Sequence, residues 1–216
     1  MSASRRTLAV FTALLCVPLL AGCHEKKATK PVIPDLYVAQ DSPANCLANL
    51  EQAYVERNLE QYVRLFASDF TFVFNPDDVH NPTNPTPEQW GLAEEDTCHT
   101  HMFQSTLVDK IELTFQQSDT VSSGSVFAGT WKVGLTQANL RVYTRKQDGT
   151  PWEYRVPNGT ATFYFKKYPN EAARNGRPLW RIWRWEDQPL GGGVAARGRF
   201  LVNETTWGQI KNMYAR

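Results

Sequence analysis

The stretch Ala53–Phe74, AYVERNLEQYVRLFASDFTFVF, changes its hydrophobic period once, and that change decides how the chain folds. Just upstream and into it, Leu47, Leu50, Ala53 and Tyr54 fall at helical spacing on one face. Ser42 is placed to cap this helix. Pro43 stands at its first position, where a missing N–H costs nothing. Asn58, with Gln61 three residues on, reads as a second cap, restarting a helix that buries Tyr62, Leu65 and Phe66. From Asp69 the period becomes two: Phe70, Phe72 and Phe74 point to one side, as in a strand with one buried face.

Beyond a loop rich in Pro and Asn (residues 75–87), the sequence predicts a second helical segment from Glu88 to about Gln104. Strands dominate after that. In KIELTFQQ, Ile111, Leu113 and Phe115 alternate against Lys110, Glu112 and Thr114. VFAGTWKVGL aligns Phe127, Trp131, Val133 and Leu135, while NLRVYTRK and PWEYRV flank an Asp148-Gly149 hairpin turn. GTATFYFKKY and LWRIWRWED finish the sheet. In the last strand Trp180, Ile182, Arg184 and Glu186 share one face, and Arg181, Trp183, Trp185 and Asp187 the other. Strict alternation therefore puts one arginine and one acid inside whichever face is buried. Gly191–Gly193 mark a joint, and TTWGQIKNMYAR closes the chain as a short helix. This order predicts an α+β domain with its helices on one face of a strongly curved antiparallel sheet that forms a cone-shaped pocket.

The N-terminus stands apart. Arg5 and Arg6 precede an apolar run from Leu8 to Leu20, too short for a membrane span of roughly 20 apolar residues and shaped like a secretion signal. Its end, Leu20-Ala21-Gly22-Cys23, resembles a bacterial lipoprotein signal at every position of the lipobox. The resemblance implies removal of residues 1–22, lipidation of Cys23 and an acylated new N-terminus, hence a lipid bilayer as partner. The residue after Cys23 is His24 rather than an aspartate, which by the rule of that family favours the outer membrane, facing the periplasm. Residues 23–42, polar and proline-bearing, read as a tether, residues 43–190 as the domain, and residues 191–216 as glycine hinge plus helix. A formal net charge of +1 over 216 residues gives no basis for a nucleic-acid partner.

The opening AYVERNLEQYVRLFASDFTFVF and closing LWRIWRWED resemble the first and last segments of the nuclear transport factor 2-like (cystatin-like cone) superfamily. Its matching positions are core residues, so they imply the fold and leave the activity open. Its members include ketosteroid isomerases, polyketide cyclases and many non-enzymatic binding modules, and many dimerise through the outer sheet face. By that resemblance Tyr54, Trp90, Glu94, His101, Trp131 and Arg184 are candidates for the pocket.

Glu94–Phe103, EEDTCHTHMF, is the one chemically dense stretch. On a helix, Trp90, Glu94, Cys98 and His101 form one stripe, with His99 on its neighbour toward the surface. Those side-chain types suit zinc, but nothing in the sequence fixes a fourth ligand, so no metal and no cofactor is expected. After export, Cys16 is removed with the signal and Cys23 is lipidated, which leaves Cys46 and Cys98. The cone fold implies helices on one sheet face, and so a Cys46–Cys98 disulfide, with two free buried thiols or Cys98 as metal ligand or nucleophile as alternatives. The expected role is a non-catalytic envelope lipoprotein binding a small apolar or amphipathic ligand or an envelope protein. The alternative is a ketosteroid-isomerase-like or polyketide-cyclase-like enzyme with Glu94, His101 or a strand acid as general base.

Overall fold

The computed structural model describes residues 36–122, 130–188 and 202–215. The signal, Cys23, residues 23–35 of the tether and Gly191–Gly193 lie outside these. No described helix is long and apolar enough to cross a membrane.

Helix α1 (Pro43–Glu56) starts where the caps place it, with the Ser42 hydroxyl accepting the Asn45 N–H at 3.2 Å. It ends at Arg57, whose left-handed backbone (φ 54°) turns the chain so that its guanidinium donates to the carbonyls of Phe103, Ser105 and Val108. Asn58 then caps α2 (Leu59–Arg64), accepting the Gln61 N–H at 3.1 Å. The period-two segment becomes β1 (Phe66–Val73), followed by a four-residue helix α3 (Pro76–Val79). Residues 89–104, expected as continuous helix, divide into strand β2 (Gln89–Gly91) and helix α4 (Leu92–Gln104). The reason is pairing: β2 lies antiparallel to β1, with Phe72 opposite Trp90, and that edge bond competes with a helical start.

The remaining elements are β3 (Val108–Ser122), β4 (Thr130–Arg145), β5 (Pro151–Ala172), β6 (Pro178–Asp187), β7 (Val202–Glu204) and α5 (Trp207–Tyr214). The curved sheet runs β2-β1-β6-β5-β4-β3, with β7 pairing β5. It is mixed: β1–β6 and β5–β7 are parallel and the other pairings antiparallel. Segments expected as four separate strands join into two long ones, β4 and β5, bent at register shifts near Ala138 rather than broken. Gly159 sits at the bend in β5. A Cβ there would meet Val156 Cγ1 at 2.7 Å and the Ala138 carbonyl at 3.1 Å, so only glycine lets the strands approach so closely.

β6 also breaks its alternation. Trp180 and Ile182 are buried, and then Trp185 and Asp187, because the pairing with β5 skips Trp183 between Ile182 and Arg184. That bulge corrects the expected pairing of an inward arginine with an inward acid. Arg184 and Glu186 pair with each other at 2.7 Å, half-exposed, while Asp187 alone points inward. The buried apolar residues form one cluster that includes Phe70, Phe72, Phe74, Phe163, Phe165, Trp185 and Trp207. Each such side chain contributes roughly 1.5–3 kcal/mol on burial.

Candidate functional site

Helix α4 buries Glu95, Cys98, His99, Met102 and Phe103, a stripe at i, i+3, i+4, i+7 and i+8. The face is turned by one residue from the expected stripe. Glu94 is exposed and accepts the Gly91 N–H at 3.1 Å, closing the helix start. His101 is exposed and bonds the Tyr214 carbonyl at 2.7 Å. Neither enters the interior, whereas His99, expected at the surface, is fully buried.

What the fold assembles inside is a network around Glu95 drawn from five elements, α1, α2, β2, α4 and α5. Its Oε1 accepts from the Tyr62 hydroxyl and from Lys211 Nζ at 2.6 Å, and its Oε2 accepts from the Trp90 indole at 2.7 Å. One turn on, His99 Nδ1 stands 2.9 Å from the Glu95 backbone carbonyl, and Nε2 2.7 Å from the Tyr54 hydroxyl. A carbonyl only accepts, so Nδ1 carries the proton. Burial holds the imidazole neutral, its pKa down to about 4, so Nε2 accepts and Tyr54 donates. Burial also opposes the charge on Glu95. Lys211, by its charge and its hydrogen bond, and then the Tyr62 hydroxyl reverse this and hold the carboxyl below its ordinary value. Lys211 lies below the ordinary amine value because burial outweighs the attraction of Glu95. Its ammonium rests 3.5 Å from the Phe72 ring centre and 3.8 Å from that of Trp185, a cation–π cage completing the ion pair.

Lys211 and Trp207 come from α5, and the grip on that helix is also acidic. Asp187 Oδ2 accepts the Gly208 N–H at 3.0 Å, and Asp78 accepts from the Thr206 hydroxyl and from Gln209 Nε2 at 3.2 Å. Burial, reinforced by Asp78, pushes Asp187 up to about 7 against the opposing Gly208 bond and Lys211. Burial raises Asp78 as well, its Thr206 and Gln209 bonds opposing. Gly208 allows the close seat: a Cβ there would lie 2.8 Å from a Phe74 ring carbon and 3.0 Å from Asp78 Oδ2.

Of the other sequence candidates, Tyr54 and Trp90 do lie inside, both committed to this network. Trp131 is 37 % exposed, edge-to-face with Trp180. Arg184 belongs to its outer pair with Glu186. The expected Cys46–Cys98 disulfide is not present. Both thiols are free and buried, Cys46 directed at the Trp180 carbonyl (3.4 Å) and Cys98 at the Lys211 carbonyl (3.3 Å). The helices share a sheet face, but the two cysteines serve different contacts, one with β6 and one with α5. Among the described residues no group of three or more His, Cys, Asp or Glu side chains converges on a point where a metal would sit. Open space lies outside the core. A groove of about 530 Å³ is lined by His101, Gln104, Leu107, Met213 and Tyr214, and one of about 230 Å³ runs between residues 37–40 and α2.

Sequence reasoning missed Glu95, His99 and Lys211, placed Tyr62 in the core without a polar role, and left Asp187 as one of two possible inward acids. One signal was available: Trp207, Ile210, Lys211 and Tyr214 fall at i, i+3, i+4 and i+7, which places a lysine on the apolar face of the last helix.

No protein-family model matches the sequence, and no curated protein matches it either. Solved structures are similar in fold. A ketosteroid isomerase-like protein from Erwinia carotovora atroseptica is 10% identical with a TM-score of 0.44, over 69% of this chain and 94% of its own. A nuclear transport factor 2-like protein with a cystatin-like fold from Novosphingobium aromaticivorans is 16% identical with a TM-score of 0.41, over 70% and 82%. A cystatin-like-fold protein from Caulobacter vibrioides is 15% identical with a TM-score of 0.40, over 67% and 84%. The chain is an α+β protein whose neighbours among solved structures have the nuclear transport factor 2-like, cystatin-like fold.

Proposed function

We propose that the protein is a lipid-anchored envelope component whose cone-fold domain is a binding module rather than a catalyst. It takes an amphipathic ligand or a protein of the envelope. One observation carries the non-catalytic part. Glu95 and His99 have both carboxylate oxygens and both ring nitrogens bonded by the chain's own groups, the second interior acid, Asp187, accepts the Gly208 N–H, and α5 fills the space beside them. A general base needs a free lone pair within reach of the proton that it takes, facing space for a substrate. The anchor is supported by the sequence Leu20-Ala21-Gly22-Cys23.

Native mass measurement of the full chain, expressed in bacterial cells and extracted from their membranes, tests both parts. The expected species begins at Cys23 and carries acyl mass that Cys23→Ser removes, together with any bound small molecule or protein. A chain that keeps residues 1–22, or a Cys23→Ser variant with unchanged mass and membrane partition, refutes the anchor. Turnover of an isomerase or cyclase substrate that Glu95→Gln abolishes in a folded protein would replace binding by catalysis.

A further inference from the structure

A fully buried lysine is rare, and the surroundings of Lys211 amount to a receptor for its head group. Glu95 supplies the charge at 2.6 Å, and Phe72 and Trp185 supply two ring faces within 4 Å. Carboxylate plus aromatic faces is the chemistry that recognises organic ammonium ions. Every other polar group at the site is neutral or suits an anion poorly: His99 is uncharged, and Tyr62 and Trp90 already donate to Glu95. Without Lys211 the cage would hold an uncompensated buried carboxylate, which must take up a proton or another cation.

The occupant is a compact amphiphile. Trp207 and Lys211 stand four residues apart on α5, so an aromatic body and an ammonium lie side by side. The indole packs against Trp185 (4.7 Å between ring centres), Tyr54 (5.8 Å) and Phe115 (6.4 Å). The fit is incomplete. The indole N–H groups of Trp185 and Trp207 are both fully buried and have no acceptor among the described residues. An unpaired buried donor costs roughly 1–3 kcal/mol. α5 therefore fills the site while leaving donors that a better-matched guest would satisfy.

We propose that the interior of the sheet is a binding site for a primary ammonium ligand with an apolar or aromatic body, and that Lys211 and Trp207 of α5 occupy it in cis. The ligand class also includes a hydrogen-bond acceptor placed for the Trp185 indole. This rests on the binding-module reading and names the ligand class of its interior.

Two measurements on the full chain test it. In Lys211→Ala the lost atoms correspond to n-propylammonium, so that cation, added as its chloride, is expected to bind at least tenfold more tightly than n-propanol. Glu95→Gln in the same background is expected to erase that preference. Equal binding of cation and alcohol, or a preference that survives Glu95→Gln, overturns the proposal by reducing the cage to an apolar cavity. In the unaltered chain, phenethylammonium is expected to speed hydrogen exchange of the α5 amides, and 2-phenylethanol to leave it unchanged. No acceleration by the cation overturns the proposal even where Lys211→Ala fails to fold, because α5 is then a fixed part of the core. If the amines fail while native mass measurement finds another bound molecule or protein, this inference falls and the binding-module reading stands.

Discussion

Asp187→Asn isolates the acid that grips α5. Its carboxyl is 5 % exposed, and its pKa rises from 3.8 to about 7 because of burial, with Asp78 adding to the effect. Between pH 4 and 7 the folded chain therefore holds a proton that the unfolded chain has lost, and stability falls as pH rises through that window. At about 1.4 kcal/mol per pH unit the decline approaches about 4 kcal/mol and levels off above pH 7. His99 works in the opposite direction. Its pKa falls from 6.5 to about 4, so its neutral form contributes fully above 6.5, and about 3 kcal/mol is lost as pH falls to 4. The two slopes nearly cancel in the unaltered protein between pH 4 and 6.5.

In Asp187→Asn the side-chain carbonyl still accepts the Gly208 N–H, while the proton linkage disappears. The burial of a new amide N–H₂ costs roughly 1–3 kcal/mol, equally at all pH values. Urea unfolding followed by tryptophan fluorescence at pH 4.5, 5.5, 6.5 and 7.5 gives the difference between variant and parent. That difference is expected to move in favour of the variant by about 3–4 kcal/mol from pH 4.5 to 7.5. The titrations of His99 and Glu95 occur in both proteins and cancel. Relief of Asp78 from a like charge acts in the same direction. A difference constant to within about 1 kcal/mol across the range would refute the assignment of Asp187 as a buried, proton-holding acid.

Three further outcomes follow from the same geometry. Gly208→Ala forces a Cβ against Phe74 and Asp78 and is expected to destabilise by about 1–3 kcal/mol in urea unfolding, with the loss of α5 protection in hydrogen exchange preceding the global transition. Glu95→Gln strands Lys211 inside and is expected to cost about 3–5 kcal/mol, whereas Glu95→Gln combined with Lys211→Met recovers most of it; a double variant no better than the single one contradicts the ion pair. Cys46 and Cys98, with burial raising both thiols, are expected to react with maleimide only on unfolding, and the mass of the isolated domain is expected to be unchanged by reductant.

The caps at Ser42 and Asn58, the phenylalanine alternation of β1 and the Asp148-Gly149 turn were legible because each depends on residues within a few positions of one another. The bulge at Trp183 was not. It exists because Ile182 and Arg184 face successive residues of β5, a register that LWRIWRWED alone does not carry. The inward face of α4 was misread by one position for a related reason. Its stripe mixes Glu95 and His99 with Cys98 and Met102, and an acid reads as solvent-facing until its counter-ion is known. That counter-ion, Lys211, lies 116 residues further along the chain.

The same separation sets the order in which the molecule becomes complete. Glu95 and the hydroxyl of Tyr62 come early in the chain, but the cation that neutralises Glu95 belongs to α5, 116 residues later. A nascent or partly exported polypeptide without α5 would have to hold a bare carboxylate, or a protonated one, among Phe72, Trp90 and Trp185, so closure of the interior waits for α5. If the chain is exported unfolded, as the proposed anchor implies, that delay suits its route: the segment that locks the core crosses after the strands and helices that it locks.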